Sequence, residues 1–383
     1  MKKWKKPKLL RSRQDRYILF LFLLITAIHV IAWHSKAFAD WYRLYAFPVF
    51  TGLPARLSGL FRGSAGEILI GAGICLVILE IVLLPFFLVR RSRLYRYRSW
   101  NVRLVCWILI YIYGTETLHC YVLYHAPTIE EQYFHTEETY GAEELAKTYS
   151  IVVTKANALA EEVQRSADGT AVYDGTLEQL YQACVLAMRR QGKTYPYLAG
   201  YYPNPKPIRA SYFMSQQYLL GIYFPFTMEA NYNTVMYPVN VPATVCHEYS
   251  HLKGIILEDE ANFFGFLACI ESDDVYLQYS GYLSVLGYLA RQVRKSVPEE
   301  LRKTLPAASG LVQKDDIFLT EEQWEQVEKR AVFSTETVNE ATNVFLETNL
   351  TMNGISDGIQ SYSRVVRLVV KYYGFADVAE DFG

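Results

Sequence analysis

Residues 246–251 read Cys246-His247-Glu248-Tyr249-Ser250-His251, a His-Glu-x-x-His run. On a helix, positions i and i+4 lie one turn apart on the same face. Two imidazoles placed there can hold one Zn²⁺ at about 2.0–2.1 Å. Glu248, beside the first imidazole, can then reach a water whose pKa zinc lowers to about 7 and take its proton as it attacks a carbonyl. That chemistry is amide-bond hydrolysis. The bland alternative is a surface helix with two solvated histidines. Against it, the chain has seven histidines and two fall here, and the flank Val241-Pro242-Ala243-Thr244-Val245-Cys246 is apolar, as in a buried helix. Pro242 near the start and Gly254 just past the end bracket a short capped helix.

A zinc hydrolase also needs a third protein ligand and an open fourth position. The next acidic cluster is Glu258-Asp259-Glu260-Ala261-Asn262-Phe263. Gly254 lets the chain reverse, so a second helix can begin near Glu258. Glu258 and Asn262 are i and i+4 and share a face. Glu-zinc peptidases use Glu-x-x-x-Asp, in which the Glu binds zinc and the Asp orients the first histidine through its other ring nitrogen. Here Asn262 stands at the Asp position and can accept from an imidazole N–H without charge. The shared face favours Glu258 as the ligand, with Glu260 as runner-up. A solvated first turn, where acids complement the helix dipole, is the bland reading of both. Cys246 adjoins His247 but points to another helix face and is not counted as a ligand.

These residues have to be positioned by a chain of 383 residues with net charge −1 and 51% hydrophobic residues, a balance with no nucleic-acid signal. The apolar excess sits at the front. Runs at about 17–33, 68–89 and 104–123 are each near the ~20 residues that span a bilayer core. The first lacks a clean cleavage site and reads as an uncleaved anchor. Residues 1–124 are thus expected to be a membrane anchor with three transmembrane helices, and 125–383 one outer domain. Basic residues set the orientation. Lys2, Lys3, Lys5, Lys6, Lys8, Arg11, Arg13 and Arg16 precede the first span. Arg90, Arg91, Arg93, Arg96, Arg98 and Arg103 lie between the second and third. The first loop holds only Lys36, Arg43, Arg56 and Arg62. Both dense clusters should face the cytoplasm and the C-terminal domain should lie outside. Glu80 and Glu116 lie in or near spans without an obvious partner, so packing or interfacial roles weigh as much as function. The six cysteines fall in apolar spans (Cys75, Cys106, Cys120) or expected helices (Cys184, Cys246, Cys269) and read as buried thiols.

In the outer domain, residues 128–165 and 175–192 read as amphipathic helices around a turn at Asp168-Gly169. Residues 194–210, with four prolines, read as an extended loop. Residues 211–239 read as strands and loops, with Gly221–Phe226 the clearest strand. Pro225 suits an edge strand, placed beside the His-Glu helix or, equally, in a plain core sheet. Helices follow at 273–295, 320–331 (Thr320 to Gln323 being a capping box), 335–350 and 358–374. The fold class is α-rich α+β with a small sheet.

Several words of this sequence resemble the bacterial membrane proteins grouped as domain of unknown function 3810. They are Gly221-Ile222-Tyr223-Phe224-Pro225-Phe226-Thr227, Glu229-Ala230-Asn231, His247-Glu248-x-x-His251-x-x-Gly254, Glu258-Asp-Glu-Ala-Asn-Phe263, Tyr279-Ser280-Gly281-Tyr282 and Asp357-Gly358-x-x-Ser361-Tyr362. The likeness spans nearly the whole chain, departing at Tyr249-Ser250 where Leu-Ala is expected. It implies a zincin-like (Glu-zincin) metallopeptidase domain anchored in a bacterial plasma membrane, acting on a peptide or protein of unestablished identity. In that scheme His247, His251 and Glu258 hold zinc and Glu248 is the general base. Tyr279, Tyr282, Tyr362 and Arg364 are candidate oxyanion or substrate contacts, the last two supported by the final word. With 31 tyrosines, any one of them is more often packing. Asn231 and Glu229 could line the cleft, and Glu229 could equally cap a turn. The alternative function is a non-catalytic zinc-binding membrane sensor or assembly factor. Glu248, which a structural zinc site does not need, favours the enzyme. Three spans with few polar groups make a poor transport pathway.

Overall fold

The computed structural model describes residues 12–89, 92–134, 139–352 and 362–380. Helix α1 (Arg13–His34) starts at a capping box in which Ser12 Oγ accepts from Asp15 N–H and the Asp15 carboxylate accepts from Ser12 N–H. Helices α2 (Lys36–Trp41) and α3 (Phe47–Ser58) form the first loop, joined by a π-helical turn. Helix α4 (Ala65–Leu88) returns, and α5 (Arg98–Glu116) runs on through a π-helical turn, Thr117–Tyr121, and a last turn, Val122–Tyr124.

Among the described residues, α1 and α4 are long and apolar enough to cross a membrane. The third expected span, 104–123, is not of that kind, which corrects the reading of three alike. Its helix carries Arg98, Asn101, Arg103 and Glu116, and Tyr121, Val122 and Leu123 at its end are buried in the protein core. Polar groups on α5 are tolerated because they pair with the other helices. Arg103 Nε meets Asp15 Oδ1 at 2.8 Å, and Asn101 Nδ2 donates to Glu80 Oε2 of α4 at 2.8 Å. Further along, the Tyr113 and Thr26 hydroxyls are 3.3 Å apart, and the His125 ring is 5.2 Å from Trp33. The contacts advance together in sequence, so α5 runs parallel to α1 along its length.

The first loop packs into the same core as the rest of the chain. Ala39, Tyr42, Phe47 and Ala55 are buried with Leu145, Met188 and Phe264. Arg43, buried, donates to Asp40 and to Gln132. Beyond it, the helix expected at 128–165 is shorter: a π-helical turn covers Glu130–Phe134 and the helix proper is Ala142–Glu162, followed by Leu177–Gln191. The sheet has three strands in the order β1 (Lys206–Ile208), β3 (Glu229–Asn233), β2 (Gly221–Phe224), with β1 parallel and β2 antiparallel to β3. β2 is an edge strand, one of the two readings its sequence left open, and it ends at Phe224, before Pro225. β1 falls in the stretch read as a loop, and residues 211–216, read as strand or loop, are helical. That short helix is pinned by Ser211 Oγ, which accepts from Thr234 N–H at 2.9 Å, a long-range bond that local composition does not reveal.

The motif helix (Val241–Leu252) packs against β2 and β3, and the ligand helix (Glu258–Ile270) and a central helix (Val275–Ser296) pack on it and on each other. Helices Glu321–Arg330, with the expected capping box, Thr335–Met352 and Tyr362–Glu380 complete the chain. One buried carboxylate ties four segments together. Asp315 accepts from Arg165 Nη2 at 2.8 Å, Tyr237 OH at 2.9 Å and Tyr279 OH at 2.8 Å. Removing one partner of such a group strands the others without compensation. Asp315→Ala should lower unfolding stability by about 3–5 kcal/mol, while Glu300→Ala, from an exposed pair with Lys303, should change it by less than about 1 kcal/mol. Denaturation of the detergent-solubilised protein checks both.

Candidate metal centre

The motif helix is bounded as its sequence demands. Pro242 occupies its first turn, and Ser280 Oγ accepts from the Ala243 N–H. Gly254 closes it at φ +87°, a conformation L side chains rarely adopt, and a Cβ there would also press on Leu123 and Phe47 at 3.2 Å. The chain reverses and Glu258 becomes the first residue of the ligand helix. Tyr249, the departure inside the motif, is buried, and its hydroxyl donates to the Pro203 carbonyl at 2.7 Å. Ser250 Oγ donates back to the Cys246 carbonyl. Both point away from the histidine face.

On that face, donors converge. Nε2 of His247 lies 3.3 Å from Glu258 Oε2, and Nε2 of His251 lies 3.6 Å from Glu258 Oε1. The ligand atoms of His247, His251 and Glu258 all fall within 4.8 Å of one another, so this group could hold a metal ion. The rings are perpendicular, with centroids 4.6 Å apart. His251 Nδ1 is bonded to the Ile255 carbonyl at 2.7 Å, which fixes the tautomer and aims Nε2 at the shared space. Lone pairs facing each other at this range repel unless a proton or a cation sits among them. Burial pulls His251 down, but Glu258 and Glu248 outweigh it and push the ring up to about 9. Partial loss of solvent would raise Glu258, yet the two imidazoles hold it well below the usual range. Two nitrogens and one carboxylate oxygen, with Glu258 half open to solvent, fit a zinc site with an open side.

Glu248 is buried, with Oε1 4.0 Å from His247 Nε2 and Oε2 without a hydrogen-bond partner. Burial, opposed by His247 and His251 and aided by Glu258, pushes its carboxyl up to about 7, near the working range of a general base. The edge strand touches it. Asn233 N–H donates to the Leu220 carbonyl at 2.8 Å, so by antiparallel alternation Ile222 and Phe224 bond to β3, while the backbone groups of Gly221 and Tyr223 face the free edge. The Tyr223 backbone adds a small contribution that lowers the Glu248 carboxyl. A Cβ on Gly221 would stand 2.4 Å from Glu248 Oε1, so glycine alone allows this approach. Sequence reasoning missed Gly221; an isolated glycine in a strand is the signal of a close approach.

The other expected site residues lie elsewhere. Glu260, the runner-up ligand, is corrected: its buried carboxylate accepts from Ile129 N–H at 2.6 Å, and burial pushes it up to about 8. Two residues on from Glu258, it must face the opposite side of the helix. Asn262 shares the Glu258 face, yet among the described residues no hydrogen bond joins it to either imidazole; for His251 that partner is the Ile255 carbonyl. Tyr279 bonds Asp315, Tyr282 is buried with its ring edge-on to Phe266, and Arg364 Nε pairs with Asp259 Oδ2 at 3.2 Å beside Glu258. Tyr362 begins the last helix but its side chain, like residues 353–361, lies outside the described residues. Cys246 is buried against Cys184 and Cys269, away from the histidines. Glu229 caps α4: its carboxylate accepts from Ala65 N–H at 3.1 Å and Gly66 N–H at 2.8 Å. Asn231 donates to the Ile222 carbonyl.

The geometry separates the two acidic candidates in an experiment. Purified protein should hold about one zinc per chain. His247→Ala, His251→Ala and Glu258→Gln should lose it, whereas Glu260→Gln should keep it. Metal analysis of the four variants checks this; zinc kept by Glu258→Gln would place the third ligand elsewhere.

No curated protein and no solved structure matches this chain. The sequence profile described as "Protein of unknown function (DUF3810)" matches residues 42–370, the greater part of the chain and all of the donor group. The chain belongs to that family of proteins of unknown function.

Proposed function

We propose that this protein is a membrane-anchored, zinc-dependent metallopeptidase of zincin-like type. The observation that carries the reading is Glu248: a buried carboxylate with a free oxygen, beside a His-His-Glu donor group and against the free edge of β2. A structural metal site has no use for such a group. Zinc, when bound by His247, His251 and Glu258, supplies a Lewis acid that polarises the scissile carbonyl and acidifies water. The remaining work belongs to the chain. An extended peptide adding to the free edge of β2 is aligned by the backbone groups of Gly221 and Tyr223. Glu248 takes a proton from the attacking water and hands it to the leaving amine. The Ile255 carbonyl keeps His251 in its tautomer throughout.

Glu248→Gln keeps the shape of the side chain and removes the base. Zinc and fold should be retained while hydrolysis falls by about 10²–10⁴-fold. Wild-type behaviour of Glu248→Gln in cells where His247→Ala is inactive would favour the alternative, a zinc-binding sensor or assembly factor without turnover. Gly221→Ala, which pushes on Glu248 Oε1, should also reduce turnover with zinc retained.

The orientation is part of the same proposal: amino terminus in the cytoplasm and C-terminal domain outside. It is supported by the basic residues before α1 and between α4 and α5. It requires α5 to cross beside α1, although among the described residues α1 and α4 alone are apolar enough to span by themselves; the parallel run of α5 along α1 and the packing of the first loop into the domain's core support that crossing. A reporter fused after Gly383 should be active only outside the cytoplasm; activity confined to the cytoplasm would reverse the orientation.

A further inference from the structure

The strand that borders the metal group leads into the helical bundle. Phe224, the last residue of β2, lies over the first turn of α4, where a Cβ on Gly66 would come within 2.7 Å of its ring. The next carbonyl, of Pro225, is 2.7 Å from His119 Nδ1, and the Phe226 carbonyl accepts from Tyr111 OH at 3.5 Å. The Phe226 ring lies 5.8 Å from that of Tyr111 and 5.4 Å from that of Phe224. Glu229, at the return of the chain, caps α4. The β2–β3 tip is therefore wedged between the start of α4 and the flank of α5.

The depth of the tip follows from helix geometry. Arg103 pairs with Asp15 at the start of α1. Tyr111 is eight residues further on, about 12 Å along the axis at 1.5 Å per residue. Its neighbour Tyr113 meets Phe22 and Thr26, in the middle of the apolar stretch of α1. The tip residues Phe224, Pro225 and Phe226 therefore lie level with the apolar stretch of α1. Gly221, the residue of β2 that lies against Glu248, is five residues back from Phe226, at most about 17 Å at strand rise.

We infer that the substrate is a polypeptide anchored in the same bilayer and cut in its juxtamembrane segment. The inference rests on the peptidase reading and on α5 crossing beside α1. A strand that pairs with β2 has to follow that edge to its tip, and the tip ends among the spanning helices rather than in water. A chain already emerging from the membrane beside α5 meets the edge in register with its own direction. Ile222, 37% exposed on the same strand, extends the apolar surface toward it.

Two measurements on the full chain test this. The first places an environment-sensitive dye on Phe226→Cys, with Cys75 and Cys106 replaced by alanine and zinc content checked, in lipid nanodiscs. Quenching by spin-labelled lipid is expected; quenching by aqueous iodide and not by the lipid would overturn the inference. The second uses proteoliposomes with a randomised peptide library fused to a single apolar helix through a short spacer, through a long flexible spacer, or left soluble. Cleavage that depends on Glu248 should be about tenfold or more faster with the short spacer. Equal Glu248-dependent rates on all three would overturn the inference and leave the peptidase reading standing. No Glu248-dependent cleavage of any of them would overturn both.

Discussion

Two imidazole nitrogens and a carboxylate aimed into one small space repel one another until something positive lies between them, and the surrounding chain is shaped to hold them there regardless. His247 and His251 are brought together by one helical turn. Glu258 reaches them because the chain reverses within a few residues, a reversal that needs the left-handed backbone of Gly254. The same turn presents the Ile255 carbonyl to His251 Nδ1, so the element that delivers Glu258 also orients His251. Burial then works on Glu248, which sits dry beside these groups and is pushed up to about 7. A cation in this space would draw Glu248 back toward its charged form.

Much of this was legible because it depends on local periodicity. The i, i+4 spacing fixes the two histidines on one face, and the glycine and the acidic run predict the second helix from Glu258 as found. What sequence left open between Glu258 and Glu260, the turn decides: once Glu258 faces the histidines, Glu260 faces Ile129. The partner of His251 was not legible, because a main-chain carbonyl has no residue type. β1 was hidden for the same reason, since its pairing with β3 lies in the backbone while its side chains include Pro207. Asn231 carries no mark of its partner either, because the group it bonds is the Ile222 carbonyl, and the α4 partners of Glu229 include the backbone N–H groups of Ala65 and Gly66.

The third hydrophobic segment shows how composition misleads where helices pair. Read singly, 104–123 resembles the other two runs. In the fold its helix begins among charged and amide groups that Asp15 of α1 and Glu80 of α4 satisfy, and it ends buried beneath the motif helix's closing turn. Glu80 had no partner in sequence because Asn101 lies across a helix–helix contact. These bonds, with the Glu229 cap on α4, make the helical bundle and the donor group one mechanical unit rather than a domain on a tether.

The most direct test of the account is X-ray absorption at the zinc edge of the purified, zinc-loaded full chain. The account predicts a first shell of nitrogen and oxygen only, at about 2.0–2.2 Å, with the multiple scattering of two imidazoles. A sulfur shell at about 2.3 Å would bring Cys246 or its neighbours into the site. That result, or a shell with fewer than two imidazoles, would contradict the assignment of His247, His251 and Glu258.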